Sequence, residues 1–140
     1  MEMIVAFDIG DKRIGVAATD PLGMMALPLE TYFRKNTADD VKYLAALAKE
    51  RGADTIVCGM PVNFDGSESV QTVKTRKFVD LLKEETDIPI VLEDERFTTL
   101  EARRNLIDAD MRRDKRKQVI DKVAASYILE NYLEKQKKHR

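Results

Sequence analysis

The sequence predicts one α/β domain over residues 1–140, built on a five-stranded mixed sheet with helices on both faces. Two observations lead to this fold class. Short β-branched apolar runs separated by turn residues occupy the first third of the chain, which is typical of antiparallel strands. Helical periodicity then alternates with further short apolar runs, as in the strand–helix–strand crossovers of a parallel sheet. The predicted element order is therefore β-β-β-α-β-α-β-α.

The three N-terminal strands are predicted from apolar runs and the turns between them. Residues 3–9 and 13–19 are rich in β-branched and small apolar side chains, and the Gly-Asp-Lys sequence at 10–12 supplies a hairpin turn. A weaker third strand covers residues 27–32. Pro28 limits that strand to the sheet edge or to a strand start, because proline donates no backbone hydrogen bond.

Apolar residues at helical spacing, followed by glycine or other turn residues, define the later elements. In order, the sequence predicts a helix that ends near Gly52, a strand at 55–58, a helix at 69–85, a strand at 88–92, a short helix after Phe97 and a long helix at 115–134. The fifth strand is continuously apolar, which favours a strand covered on both faces. Residues 135–140 are expected to form a frayed tail.

The composition is that of an ordinary globular protein, with 44% apolar and 35% charged residues. No apolar stretch approaches the roughly 20 residues that cross a bilayer, and the N-terminus has no signal-peptide pattern. Cys58 is the single cysteine and cannot form an internal disulfide, so a reducing cytoplasm is the expected location. Cys58 lies in an apolar run, and the lone His139 lies in a polar tail. A buried structural role is therefore favoured over a nucleophilic one.

Charge is distributed unevenly along the chain. Residues 1–95 carry 11 Lys or Arg against 18 Asp or Glu, whereas residues 96–140 carry 13 against 7. The densest basic cluster is a connection before the last helix and contains Arg112, Arg113, Lys115, Arg116 and Lys117. Such a cluster can bind a phosphate backbone. A solvated loop and helix start explains it equally well.

Three acidic residues follow or adjoin apolar segments, where an unpaired charge is costly. Asp8 ends the first strand, although a turn residue bonding to the following backbone is the alternative. Glu95 follows the fifth strand, but side chains alternate across a strand, so the sequence leaves open whether Asp94 or Glu95 points to a shared site. Asp121 opens the last helix and shares a stripe with apolar residues at the 3.6-residue period. A favourable helix dipole is the alternative account of Asp121.

Clustered carboxylates repel one another unless a cation lies between them. Ligation by oxygen alone favours Mg²⁺ or Mn²⁺, and the lack of a nearby histidine or exposed cysteine argues against zinc. Two such ions roughly 4 Å apart can activate a water molecule and stabilise the leaving oxygen of a phosphodiester. Hydrolysis of nucleic acid is the reaction that this arrangement suits best.

Four segments, in this order, carry a resemblance to a known family: residues 7–17 (FDIGDKRIGVA), 59–67 (GMP…DGS), 94–99 (DERFTT) and 120–125 (IDKVAA). Together they resemble the YqgF (RuvX-type) proteins, Holliday junction resolvase-like nucleases of the RNase H fold that are described as pre-16S rRNA nucleases. The match spans nearly the whole chain, and Phe97, where the family often has leucine, is a mild departure.

The resemblance implies that Asp8, Glu95 and Asp121 form a metal-binding catalytic triad, which favours Glu95 over Asp94. It also implies an RNase H-like fold and a cytoplasmic role in maturing the 5′ end of 16S rRNA. Lys12, Arg13 and Arg96 would then contact phosphate near the metal ions, with the basic cluster further along the backbone. Ordinary surface charge is the alternative for each of these basic residues.

Three other functions remain compatible with the sequence. The Asp8 hairpin also resembles the phosphate loop of actin-like and sugar-kinase domains, but those proteins need two such domains around the nucleotide. A resolvase acting on branched DNA would use the same chemistry but needs two active sites, hence a dimer; the sequence shows no long apolar stripe, which is compatible with a monomer or a weak dimer. A non-catalytic module that binds RNA or a partner is the third.

Overall fold

The β1–β2 hairpin lies at the centre of the sheet in this computed structural model, which describes residues 2–63, 65–94 and 113–138. The elements are β1 (Ile4–Ile9), β2 (Arg13–Thr19), β3 (Ala26–Phe33), α1 (Thr37–Glu50), β4 (Thr55–Met60), α2 (Val70–Glu85), β5 (Ile90–Asp94) and α3 (Arg113–Lys138). The strand order is β3-β2-β1-β4-β5. The β1–β2 and β2–β3 pairs are antiparallel, and β1–β4 and β4–β5 are parallel. The predicted five-stranded mixed sheet is confirmed.

Side-chain alternation divides β1 between two cores. Val5, Phe7 and Ile9 pack with residues of α1 and α2 on one face of the sheet. Ile4 and Ala6 pack with α3 on the other face. The predicted helices on both faces are therefore present, and the alternation assigns Asp8 to the face that α3 covers.

Small residues let α3 approach the sheet closely. Ala6 and Ala17 on the strands meet Ala124 and Ala125 on the helix, and all four are fully buried. The approach is tightest at Gly15, where an added Cβ would lie 1.8 Å from the carbonyl oxygen of Asp121. Because the φ of Gly15 is not in the left-handed region, this glycine is required by the neighbouring helix and not by its own backbone conformation.

Several predicted boundaries need correction. The fifth strand is Ile90–Asp94 and not 88–92, and it lies at a sheet edge. Ile90 and Val91 pack against the cores on the two faces, whereas Leu92 is 43% exposed, so the faces are covered only in part. An apolar run alone does not show whether a further strand pairs beside it. The third strand does lie at the opposite edge, as Pro28 predicted.

The last helix is longer than predicted at both ends. It begins at Arg113, so most of the basic cluster lies in its first turns and not in a connection. It continues to Lys138, so part of the expected frayed tail is helical. Lys135 pairs with Glu93 at 2.5 Å, which fastens this end of the helix to β5. The short helix expected after Phe97 lies outside the described residues.

Candidate active site

Asp8 is the penultimate residue of β1, next to the β1–β2 turn, and is half-buried. Its Cα partner in the antiparallel ladder is Gly15 on β2. Residues directly opposite one another in such a pair carry their side chains on the same face, with Cα atoms roughly 4.5–5.5 Å apart. Asp8 is therefore placed beside Gly15 on the face of α3.

Asp121 meets this point from the helix. Its backbone carbonyl lies against Gly15, so the two predicted metal-binding aspartates adjoin the same glycine from different elements. A side chain at position 15 would occupy the space between the strand and the helix. The absence of a side chain at Gly15 thus lets the backbone of Asp121 approach the pair of strands that carries Asp8.

Arg13 forms an ion pair with Asp121. Its Nε donates a hydrogen bond to Oδ2 of Asp121 at 2.6 Å, and the two side chains are 26% and 19% exposed. Charge-assisted pairs of this kind are stronger than neutral hydrogen bonds, particularly when partly shielded from water. Arg13, predicted to contact phosphate, therefore also holds one of the candidate ligands in place.

Asp121 occupies the third turn of α3, eight residues after Arg113, so the prediction that it opens the last helix was wrong. The helix dipole acts mainly within the first turn, so it does not account for this carboxylate. The predicted stripe is confirmed, because Ala124, Ala125 and Ile128 are buried against the sheet. Asp121 is half-buried at the end of this stripe.

Glu93 is an acidic residue that the sequence analysis did not single out. It is only 5% exposed, and its Oε1 lies 2.5 Å from Nζ of Lys135. Val91, two residues earlier, packs with the α3 core, so alternation places Glu93 on the same face as Asp8. Asp94 belongs to the opposite face by the same rule. The run of three acidic residues at 93–95 was the sequence signal that could have drawn attention to Glu93. Only the packing of α3 shows that this residue is buried.

The remaining predicted site residues are only partly described. Lys12 is exposed in the β1–β2 turn. Four residues of the basic cluster are in the first turns of α3: Arg113, Lys115, Arg116 and Lys117. Glu95, Arg96 and Arg112 lie outside the described residues. Within residues 2–63, 65–94 and 113–138, no three acidic, histidine or cysteine side chains form a group that could hold a metal ion.

The donor chemistry on the α3 face fits a hard divalent cation. Asp8 and Asp121 contribute carboxylate oxygens, the ligands that Mg²⁺ and Mn²⁺ prefer. Cys58 packs in the core on the other face of the sheet. Burial raises the pKa of its thiol to about 12, so it is neither a thiolate ligand nor a nucleophile at neutral pH. Its predicted structural role is confirmed.

Two polar side chains in the loop between β4 and α2 form hydrogen bonds within that loop. Asn63 donates to the hydroxyl of Ser67 at 2.9 Å, and Ser67 in turn donates to Asp65 at 2.6 Å. Turn geometry therefore accounts for both side chains.

A family model described as RuvX, Holliday junction resolvase, matches residues 2–135. The chain belongs to the RuvX family. Curated relatives named "Putative pre-16S rRNA nuclease" include one from Clostridium acetobutylicum, 45% identical over 130 residues, covering 93% of this chain and 96% of the relative. Another, from Halothermothrix orenii, is 47% identical over 135 residues and covers 96% of each chain. This RuvX family member is thus an enzyme of the nuclease class.

Solved structures give the same fold for this RuvX family member. T. thermophilus RuvC in complex with a Holliday junction substrate aligns with a TM-score of 0.61 and 10% identity, covering 97% of each chain. The fowlpox virus Holliday junction resolvase aligns with a TM-score of 0.55 and 15% identity, covering 95% of this chain and 99% of the resolvase. At such low identity these matches establish the RNase H-like fold alone. No helix in the described part of the chain has both the length and the apolar character needed to cross a membrane.

Proposed function

We propose that this protein is a metal-dependent endonuclease that cleaves structured RNA, with the 5′ end of precursor 16S rRNA as its substrate in the cytoplasm. The observation that carries the proposal is the convergence of Asp8 and Asp121 at Gly15. Asp121 lies in the third turn of α3, beyond the reach of the helix dipole, and its carboxylate is already held by a positive charge, that of Arg13. The names of the curated relatives support the choice of RNA over DNA.

Asp8, Glu95 and Asp121 would hold Mg²⁺ or Mn²⁺ in this proposal. The bound ions would activate a water molecule and stabilise the leaving oxygen of the phosphodiester. The two described carboxylates come from rigid elements, a central strand and a packed helix, which favours a preorganised site.

Arg13 has two roles in the proposed mechanism. It fixes the carboxylate of Asp121 through the 2.6 Å hydrogen bond. Its guanidinium also supplies positive charge beside the position of the scissile phosphate, as bidentate arginine contacts to phosphate do in other proteins. Lys12 in the adjoining turn, Arg96 and the basic cluster before and within α3 would contact the phosphate backbone further from the cleavage point.

The experiment compares Asp8→Asn and Asp121→Asn with the wild type on a precursor 16S rRNA fragment, in Mn²⁺ and in chelator. Both variants should retain the far-ultraviolet circular dichroism of the wild type and lose cleavage by at least about a hundredfold, since a carboxylate ligand is replaced by a neutral amide. Asp87→Asn is the matched control, because Asp87 is exposed in the connection between α2 and β5. Full cleavage by Asp8→Asn would contradict the mechanism.

A second candidate is cleavage of branched DNA, favoured by the structural match to a RuvC bound to a Holliday junction. Symmetric cleavage of a four-way junction needs two active sites, so this function requires a dimer. Incubating the protein with a junction and with the rRNA fragment in parallel, and measuring its mass in solution, separates the two. Binding without cleavage of either substrate would indicate a non-catalytic module.

A further inference from the structure

A cleft with basic and apolar lining residues lies at the same end of the sheet as Asp8 but on the face of α1 and α2. It has a volume of about 280 Å³ and is bounded by the β1–β2 turn and the first half of α2. Its lining includes Ile9, Asp11, Lys74, Thr75 and Lys77. Ile9 directly follows Asp8, so the cleft begins one residue from the candidate active site.

The cleft concentrates positive charge in the acidic N-terminal two thirds of the chain. Residues 1–95 carry 11 basic against 18 acidic residues. The cleft and a shallower one beside it are nevertheless lined by five basic and two acidic side chains, namely Lys12, Arg34, Lys35, Lys74 and Lys77 against Asp11 and Asp40. A local excess of positive charge against the trend of its surroundings favours an anionic ligand.

Thr75 supplies an observation independent of charge. This residue is 1% exposed, and its Oγ1 has no hydrogen-bond partner within the described part of the chain. Buried hydroxyl groups are almost always hydrogen-bonded, because losing water without gaining a partner is unfavourable. Thr75 lines the cleft, so a ligand oxygen bound against this residue would supply the missing partner.

The wall of the cleft is rigid before any ligand binds. Nε of Arg34 donates to the fully buried Asp40 at 2.9 Å, and its Nη1 donates to the carbonyl of Gly10 at 3.0 Å. The guanidinium also lies 4.9 Å from the ring centre of Phe78. Arg34 is thus committed to the protein, which leaves Lys74 and Lys77 as the groups available to an anion.

Lys74 is held only weakly. Its Nζ lies 3.6 Å from a carboxylate oxygen of Asp11, and both side chains are more than half exposed. Exposed ion pairs of this kind contribute little to stability, so Lys74 can exchange Asp11 for an anion that binds more strongly. A phosphate could therefore replace Asp11 without disturbing the fold.

We infer that this cleft binds a phosphate group of the substrate strand. Lys74 and Lys77 neutralise the charge of the phosphate, and the hydroxyl of Thr75 donates a hydrogen bond to it. The inference rests on the proposed nuclease function and extends it. A strand lying across Asp8 would pass around the β1–β2 turn and reach the cleft on the other face of the sheet. The ligand is a phosphodiester of the nucleic acid and not a separate metabolite.

The test measures the binding of a short fluorescein-labelled single-stranded RNA by fluorescence anisotropy, in chelator and over a range of salt concentrations. The full-length Lys74→Gln/Lys77→Gln protein is compared with Lys49→Gln/Lys83→Gln, which removes the same charge from exposed lysines in the last turns of α1 and α2. Loss of the one phosphate contact should lower the slope of log affinity against log salt by about 0.7. The control should keep the wild-type slope. Equal slopes for the two double variants would overturn the inference.

Thr75→Val tests the hydroxyl separately, because it keeps the side-chain shape and removes the oxygen. We expect weaker RNA binding with an unchanged salt slope and a folded protein of equal or higher melting temperature. Wild-type affinity in Thr75→Val would also overturn the inference. The Asp8→Asn cleavage assay is independent of these measurements. If Asp8→Asn loses cleavage but the cleft variants bind RNA like the wild type, the cleft inference is wrong and the catalytic proposal stands. If the cleft variants bind RNA more weakly but Asp8→Asn cleaves fully, the catalytic proposal is wrong.

Discussion

Replacing Gly15 by alanine would place a methyl group where the backbone of α3 already lies. The added Cβ would be 1.8 Å from the carbonyl oxygen of Asp121, 2.3 Å from its carbonyl carbon and 3.0 Å from the nitrogen of Lys122. All three atoms belong to the backbone, so no side-chain rotation relieves the contact. Real Cβ atoms essentially never approach within 3.0 Å, so the helix must move outward by about 1.2 Å.

This displacement should reduce both stability and activity. Overpacking in a well-packed core costs about 1–3 kcal/mol, and a contact with rigid backbone belongs at the upper end of that range. A loss of about 3 kcal/mol lowers the melting temperature of a chain of this length by roughly 10 °C. Because Asp121 moves with the helix, cleavage should fall on the order of a hundredfold, the effect of a misplacement near 1 Å.

Gly52→Ala is the matched control for Gly15→Ala. Gly52 has φ +66° and nothing within 4 Å of the added Cβ. Its cost is the left-handed backbone strain of about 1–2 kcal/mol, with no displacement of any element. Thermal unfolding followed by circular dichroism and a cleavage assay with Mn²⁺ should therefore show lower stability for both variants but lower activity only for Gly15→Ala. Wild-type stability and cleavage in Gly15→Ala would refute the contact between β2 and Asp121.

Two further predictions concern charged residues. Arg13→Gln should lower the stability of the metal-free protein by about 1 kcal/mol. It should also weaken Mn²⁺ binding in calorimetry, because Asp121 loses the hydrogen bond that holds its carboxylate in place; equal or tighter binding would contradict this. Asp40→Asn should cost about 3 kcal/mol in urea unfolding, since it leaves Arg34 unpaired. Burial opposes ionisation of Asp40, but hydrogen bonds from Lys35, Arg34 and Tyr32 outweigh it and hold its pKa below 3.8. The stability difference should thus be full above pH 3.8 and shrink as pH falls through the folded pKa; a difference that persists in acid would exclude this origin.

The sequence determined the elements and their order through local physics. Apolar runs with a period of two and apolar stripes with a helical period reflect which side chains must leave water, and both can be read without coordinates. Pro28 marked an edge strand because a missing backbone donor is a property of the residue itself. The alignment of Asp121 with Ala124, Ala125 and Ile128 was likewise visible, since those residues lie within two helical turns.

Only the tertiary structure decided what depends on distant contacts. Glycine in a strand is locally unfavourable, and the reason for Gly15 is a helix residue far along the chain. Glu93 and Asp40 appear in the sequence as ordinary surface acids, yet packing buries both and pairs them with Lys135 and Arg34. The edge position of β5 follows from which strands pair with it. Local patterns record the preference of each residue for water or for the interior, whereas the neighbours a residue meets are set only when the whole chain packs.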